Sequence, residues 1–128
     1  RQLFRDNFNT FISKAEVIQS TRLILDRIAI GKLDREMEDS VLIAAQAADE
    51  LLDINGVEAS FVLTRANDRI HISGRSLGDI SVQLILERLG GGGHLTSAGT
   101  QISGMSMEEA EEMLIDKIEE FLEEGEKN

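Results

Sequence analysis

The chain has 128 residues, of which 41% are hydrophobic and 29% charged, a composition typical of one globular domain rather than a disordered segment. It contains no cysteine, which excludes a disulfide framework, a thiolate metal site and a cysteine nucleophile. The formal net charge of −11 argues against binding of long DNA or RNA, whose phosphates are contacted mainly by lysine and arginine.

The charge is unevenly distributed along the chain. Residues 105–128 hold ten acids and two lysines, whereas residues 65–94 hold four arginines and three acids. The middle of the chain could therefore bind a small anion. No apolar run resembles a signal peptide or approaches the ~18 residues of a membrane span, and the chain begins with arginine rather than methionine. We expect a soluble piece of a longer protein.

The first half of the chain predicts two helices and an intervening strand. The opening stretch reads as an amphipathic helix that needs a surface to cover, because apolar residues recur at helical spacing: Phe4, Phe8, Phe11, Ile12, Ala15 and Ile18. Residues 22–33 are rich in isoleucine and leucine and predict a buried strand. A central helix buried on most sides follows, with Asp39 or Ser40 as N-cap and Gly56 after its end.

The second half predicts a hairpin, a short helix, a strand and a long helix. The hairpin, residues 57–76, turns at Ala66, Asn67 and Asp68. In its second strand, alternation puts Ile70 and Ile72 on one face and a polar set on the other: Arg69, His71, Ser73 and Arg75. A helix over 79–89 and a strand over 98–104 follow. A capping box of Ser106 and Glu109 opens the last helix, whose glutamates form a solvated face opposite an apolar stripe: Ala110, Met113, Leu114, Ile118, Phe121 and Leu122.

This order of elements predicts the fold class. Helices and strands are mixed along the chain, and at least one strand pair is an antiparallel hairpin. We expect an α/β (mixed α+β) domain with a single mixed sheet of four to five strands flanked by helices.

The stretch "LGGGGHLTSAG" is the strongest chemical signal. Backbone N–H groups without Cβ atoms can approach a ligand and bind an anion, and His94 after the run can donate a hydrogen bond. The dinucleotide fingerprint and the P-loop do not fit, since both follow a strand and open a helix. A structural interpretation competes: Gly90 ends the helix in the left-handed conformation, and the other glycines form a tight turn. That explains one or two glycines well and four poorly.

Three further residues are weaker candidates. Arg75 and Ser76 precede the predicted helix start at Gly78 or Asp79, where a guanidinium, a hydroxyl and a helix N-terminus could bind an anion. A surface ion pair of Arg75 with Asp79 is the simpler interpretation. His71 shares the face of Arg75, although a solvated or core-satisfied histidine is the better interpretation.

Aspartate–histidine clusters for metal-dependent hydrolysis and the G-x-S-x-G nucleophile motif are lacking.

The motifs together resemble the DHHA1 domain of the DHH phosphoesterase superfamily. Its hallmark Gly-Gly-Gly-His loop matches Gly91 to His94, the small residues that follow match 97–99 with serine where alanine is common, and the Arg-Ser pair matches Arg75 and Ser76. The segments "RSLGDISVQ" and "GGGGHLT" resemble the corresponding sequences of the membrane-anchored bacterial cyclic-di-AMP phosphodiesterases. On this resemblance, residues 1–21 are a connector helix from a DHH domain outside this chain, and residues 22–128 are the DHHA1 domain.

The resemblance implies a division of labour between two domains. The DHH domain would hold manganese and hydrolyse cyclic-di-AMP to pApA, while this chain, without the Asp-His-His motif, would be inactive alone. The implied substrate-binding residues are Arg75, Ser76, Gly91, Gly92, Gly93, His94 and Thr96, with no catalytic residue or metal ligand in this chain. The domain would be cytoplasmic within a parent anchored in the bacterial membrane, and the parent could form a homodimer.

Two other functions stay open from the sequence. The same glycine–histidine loop occurs in relatives that degrade short RNA or single-stranded DNA, so this chain could be the substrate-binding half of an oligoribonuclease or exonuclease. It could also be a stand-alone module that binds a nucleotide, or a protein through its acidic helix.

Overall fold

A computed structural model describes residues 1–127, which form one mixed sheet with helices on both faces. The elements in chain order are α1 (Gln2–Gln19), β1 (Arg22–Ile24), β2 (Ile28–Glu36), α2 (Ser40–Leu51), β3 (Ala59–Ala66), β4 (Arg69–Ser76), α3 (Val82–Glu87), β5 (Gly92–His94), β6 (Ser97–Ile102) and α4 (Met107–Lys127). The sheet order is β1-β2-β3-β4-β6-β5, in which β2 and β3 are parallel and every other pair is antiparallel. The predicted fold class is confirmed.

The sheet has six strands instead of four to five because two segments form extra hairpins. Residues 22–33, predicted as one strand, turn back between β1 and β2, where Leu25 and Asp26 have φ of 54° and 60°. The glycine run supplies the other strand, since Gly92–His94 pairs with β6. The predicted turn of the β3–β4 hairpin is confirmed, with Asn67 and Asp68 at φ of 55° and 62°.

The two faces of the sheet bury different cores. On the face covered by α3 and α4 lies the larger cluster, which includes Ile28, Ile30, Phe61, Leu63, Ile70, Ile72, Ile85, Leu86, Leu114 and Ile118. On the opposite face, which we call the α2 face, α1 and α2 cover β2 and β3 with a smaller cluster: Val17, Ala29, Ile43, Ala44, Ala47, Ala48, Leu51, Val57 and Val62. The α2 face of β4, β6 and β5 lies beyond this cluster and carries polar side chains and glycines.

Helix α1 packs on the domain with a different side from the one its sequence pattern suggests. Its buried residues are Ser13 and Val17, while Phe4, Phe8 and Phe11 are 70%, 50% and 63% exposed. The rings of Phe4 and Phe8 stack on each other with centroids 6.0 Å apart. The helix is present as predicted, but only the end of its apolar stripe is packed: Ile18 contacts the smaller cluster, whereas residues 1–9 are all exposed.

Helix boundaries and burial differ from the sequence predictions in three places. Helix α2 buries one side rather than most sides, because Val41 and Leu42 are about half exposed. Helix α3 is six residues long and begins after its N-cap Ser81, whose side chain accepts a hydrogen bond from the Leu84 N–H. Its start is therefore not at Gly78 or Asp79.

Helix α4 begins with the predicted capping box but does not expose all of its acids. The Ser106 N–H donates to Glu109 Oε1 at 2.9 Å, and the Glu109 N–H donates to Ser106 Oγ at 3.1 Å. Glu111 is only 6% exposed, so the prediction of an entirely solvated acidic face is wrong at this position. No helix in residues 1–127 combines the length and apolar character needed to cross a bilayer.

Candidate functional site

Strand β4 carries the polar face that its alternation predicts. Its residues opposite β3 pair as Arg75 with Ser60, Ser73 with Val62 and His71 with Thr64, which places them on the α2 face. Ile70 and Ile72 point the other way into the larger core, as predicted. The β4 strand therefore has one polar face, on which His71 and Ser73 are buried, and one apolar face in the larger core.

Arg75 and His94 lie in one row across three strands. Arg75 pairs with Ser97 of β6, and Ser97 pairs with His94 of β5. Residues directly opposite each other in antiparallel strands put their side chains on the same face, with Cα atoms 4.5–5.5 Å apart. The Cα atoms of Arg75 and His94 are thus about 10 Å apart on the α2 face. His94 is exposed and Arg75 half-buried.

The adjacent row of the same face is almost free of side chains. Ser73 pairs with Gly99, and Gly99 pairs with Gly92. Among the described residues, nothing lies within 4 Å of the position that a Cβ on Gly92 would occupy. The backbone is therefore open at Gly92, as the close approach of a ligand requires, whereas His71 Cε1 lies 3.6 Å from the Cβ position of Gly99.

The other glycines of the run have structural roles. Gly90 follows α3 with φ of +85°, as predicted for a left-handed helix end. A Cβ on Gly91 would overlap the Gly99 carbonyl oxygen and the Thr100 side chain, and the Gly91 N–H already donates to the Leu86 carbonyl at 2.9 Å. Gly93 has φ of +147°, and a Cβ there would lie 2.6 Å from Ser97 O. Gly91 and Gly93 therefore allow β5 to pack against β6.

Arg75 is held by two partners that the sequence did not indicate. Its Nε lies 3.1 Å from Asp49 Oδ1 of α2, and its Nη1 donates to the Gly74 carbonyl at 2.8 Å. The predicted pair with Asp79 is wrong, because α2 and not the segment after β4 covers this end of the strand. Asp49 lies 26 positions earlier in the chain, and only the packing of α2 on the sheet brings the two together.

His71 is buried on the same face and only half satisfied. His71 is 7% exposed, and its Nε2 lies 2.9 Å from Ser73 Oγ. Nδ1 has no hydrogen-bond partner in the described part of the chain. Burial lowers the pKa of His71 below its ordinary value of 6.5, and the positive charge of Arg75 lowers it further. The solvated alternative is wrong, and the buried alternative holds in part, because Nε2 is hydrogen-bonded and Nδ1 is not.

Ser76 does not share the face of Arg75. It is 5% exposed, its Oγ donates to the Leu95 carbonyl at 3.3 Å, and its N–H donates to the Thr96 carbonyl at 3.1 Å. Leu95 and Thr96 form the exposed turn between β5 and β6. Ser76 thus holds this turn by two hydrogen bonds, and its side chain lies on the opposite face of β4 from Arg75. His94 directly precedes the turn.

The described residues include no group of three or more histidine, aspartate and glutamate side chains placed to hold a metal ion. What the α2 face offers is a guanidinium, an exposed imidazole and open backbone, which suit an anionic ligand.

The sequence model of the DHHA1 domain matches residues 27–124. The chain is 46% identical over 129 aligned residues to the cyclic-di-AMP phosphodiesterase GdpP of Bacillus subtilis, and 43% identical over 122 to the cyclic-di-AMP phosphodiesterase PdeA of Listeria monocytogenes. These alignments cover 98% and 94% of this chain but only 19% of the length of each relative.

The fold also resembles a solved structure. An exopolyphosphatase-related protein from Bacteroides fragilis superposes with a TM-score of 0.77 at 22% identity, over 88% of this chain and 34% of that one. At this identity the likeness concerns the fold alone.

Proposed function

Because the chain belongs to the DHHA1 domain family, we propose that it is the substrate-binding domain of a phosphodiesterase that hydrolyses cyclic-di-AMP to pApA. The similarity to GdpP and PdeA covers nearly the whole chain and supports this choice of substrate. Residues 1–21 would then be the connector from a DHH domain, and the exposed aromatic stripe of α1 would contact that domain. Such a parent would be anchored in the bacterial membrane with this domain in the cytoplasm.

The observation that carries the proposal is the row of Arg75, Ser97 and His94. A guanidinium offers several N–H donors in a planar fork that matches a phosphate, and an imidazole can donate to a second phosphate oxygen. Their Cα separation of about 10 Å lets both side chains reach one dinucleotide. The pair would hold the substrate's phosphates on the α2 face.

The glycine row extends this site. Gly92 lies in the edge strand β5, which pairs with β6 on one side only, so alternate N–H groups of β5 stay outside the ladder. The nucleotide would approach the backbone at Gly92, with Thr96 on the neighbouring turn. Gly91, Gly93 and Ser76 would act indirectly by fixing the shape of the β5–β6 hairpin.

The domain would contribute binding and orientation, with no proton transfer assigned to it. Fixing a phosphate by charge and hydrogen bonds aligns it for attack and stabilises charge that develops there. The manganese implied by the family resemblance would be held by a DHH domain outside this chain.

The test uses the longer protein that contains this domain together with its DHH domain. Arg75→Ala and His94→Ala should each lower kcat/KM for cyclic-di-AMP by at least about tenfold, the loss expected for a positioning contact. Arg69→Ala is the matched control, because Arg69 is exposed on the same strand face six residues away. Unchanged kinetics in both site variants would overturn the assignment.

Competition separates the remaining substrate classes. Cyclic-di-AMP should inhibit hydrolysis of a labelled substrate more strongly than pApA or a short oligoribonucleotide does. Preference for the oligoribonucleotide would instead identify an oligoribonuclease or exonuclease. Tight binding of a nucleotide by a protein that lacks any DHH domain, measured by calorimetry, would favour a stand-alone binding module.

A further inference from the structure

We propose that Asp49 is a positioning residue, which holds the Arg75 guanidinium in the orientation that receives the substrate's phosphate. This inference rests on the proposed function, since it concerns the same anion site. Asp49 lies near the end of α2, on the helix that covers the neighbouring part of the α2 face. Its carboxylate oxygen Oδ1 is 3.1 Å from Arg75 Nε.

The donors of Arg75 divide into held and free groups. A guanidinium with its Nε carries five N–H bonds in a fixed plane. Nε forms an ion pair with the Asp49 carboxylate, and one N–H of Nη1 donates a hydrogen bond to the Gly74 carbonyl. The second N–H of Nη1 and both of Nη2 have no partner among residues 1–127, and together they form the fork that can bind a phosphate in two places. Asp49 and Gly74 thus fix the plane and leave one edge of the guanidinium for the ligand.

Stability does not account for this ion pair. The side chain of Asp49 is 63% exposed, whereas that of Arg75 is 19% exposed. An ion pair with one solvated partner contributes little to folding. It does restrict a long, flexible side chain before the ligand arrives, so less conformational freedom is lost on binding.

The negative charge of Asp49 lets an experiment distinguish positioning of Arg75 from simple charge repulsion. A carboxylate beside Arg75 repels a phosphate, so its removal would strengthen binding if charge alone mattered. If Asp49 positions Arg75, its removal weakens catalysis in spite of the lost repulsion. The two explanations therefore predict opposite changes.

The experiment measures cyclic-di-AMP hydrolysis by the longer protein carrying Asp49→Ala, Asp49→Asn or Asp49→Glu. We expect Asp49→Ala to lower kcat/KM about tenfold and Asp49→Asn by a smaller factor, while Asp49→Glu recovers most of the loss. Asp53→Ala is the matched control, an exposed acid four residues further along the chain. Melting temperatures should be the same for all four variants, which excludes unfolding as the cause.

A double-mutant cycle separates positioning from a general structural effect. In an Arg75→Ala background, Asp49→Ala should cause no further loss, because the side chain that Asp49 positions has been removed. An additive loss, or a kcat/KM that is unchanged or increased by Asp49→Ala alone, overturns the inference while the proposed function stands. If Arg75→Ala itself has no effect, the inference fails together with the role of Arg75, and the proposed function fails as well only if His94→Ala also has no effect.

Discussion

Arg75 and His94, 19 residues apart in the chain, lie on the two sides of Ser97 in a single row across β4, β6 and β5. This arrangement arises because β6, and not β5, pairs with β4. The glycine run forms the edge strand β5, and the chain then turns back so that β6 lies between β4 and β5. The glycine–histidine motif of this chain therefore includes an edge strand, whose histidine lies on the same face of the sheet as Arg75.

The glycine run separates into structural and ligand-facing positions, which substitution by alanine can distinguish. Gly91→Ala and Gly93→Ala should each lower the free energy of unfolding by about 3 kcal/mol, because the new Cβ meets the backbone of β6. Gly92→Ala should change it by no more than about 0.5 kcal/mol, since its Cβ position is open. Urea unfolding of the three variants measures this difference.

Hydrolysis assays on the same variants in the longer protein complete the comparison. Gly92→Ala should impair cyclic-di-AMP hydrolysis while the domain stays stable, because the Cβ occupies the space that the nucleotide would approach. Equal stability of all three variants would contradict the packing argument. Full activity of Gly92→Ala would contradict the role of Gly92 in the proposed site.

Local signals in the sequence predict much of this fold, whereas long-range contacts in the site are not predictable from it. The Asn67–Asp68 turn and the Ser106–Glu109 capping box involve residue types with a known local preference, and both are confirmed. The Leu25–Asp26 turn was missed because leucine rarely adopts positive φ.

The site itself was predictable only in part. Alternation along β4 predicts the face of Arg75, and the same rule, applied to Ser76, would have placed it on the opposite face. The Arg75–Asp49 pair depends on how α2 crosses the sheet, for which the sequence has no local signal. Strand β5 was read as a loop because four glycines have low strand propensity, although β6 imposes the pairing.

His71 should make the stability of the domain depend on pH. Its folded pKa lies below the ordinary value of 6.5, chiefly because of burial and further because of Arg75, so the unfolded chain binds a proton more readily. The free energy of unfolding should therefore be highest above about pH 6.5 and decrease below it, by at most about 1.4 kcal/mol per pH unit. Chemical denaturation between pH 7.5 and 5.5 measures this slope.

The variant that tests this slope is His71→Asn. Removing the buried imidazole should flatten the pH dependence. An unchanged slope in His71→Asn would show that the buried imidazole is not its source.

The packing side of α1 can be tested with two substitutions. Phe11→Ser should change the free energy of unfolding of this domain by less than about 0.5 kcal/mol, because the ring is 63% exposed. Val17→Ala should lower it by about 1–2 kcal/mol, since Val17 is fully buried against α2 and β2. If Phe11→Ser proves the more destabilising in urea unfolding, the helix packs with its aromatic stripe inward.

Glu111 joins α4 to the edge of the sheet and should be the acid of α4 that matters most for stability. It receives hydrogen bonds from Lys32 Nζ at 2.6 Å and from Arg22 Nε at 3.1 Å. Burial alone would raise the pKa of its carboxyl, but these hydrogen bonds and the two positive charges lower it below the ordinary value of 4.5. The carboxylate is thus stabilised in the folded state.

Replacing the Glu111 carboxylate should lower the free energy of unfolding, whereas replacing the carboxylate of the neighbouring Glu112 should not. Glu111→Gln should lower the free energy of unfolding at pH 7 by about 1–2 kcal/mol, because two charge-assisted hydrogen bonds are lost. The contribution of Glu111 is complete above about pH 4.5 and is lost as the pH falls through its lower folded pKa, so the variant should lose less stability on acidification than the parent chain does. Glu112→Gln, at an exposed position, should have the same free energy of unfolding at pH 7 as the parent chain. Equal stabilities of Glu111→Gln and Glu112→Gln at pH 7 would mean that the ion pairs of Glu111 only offset the cost of burying its charge.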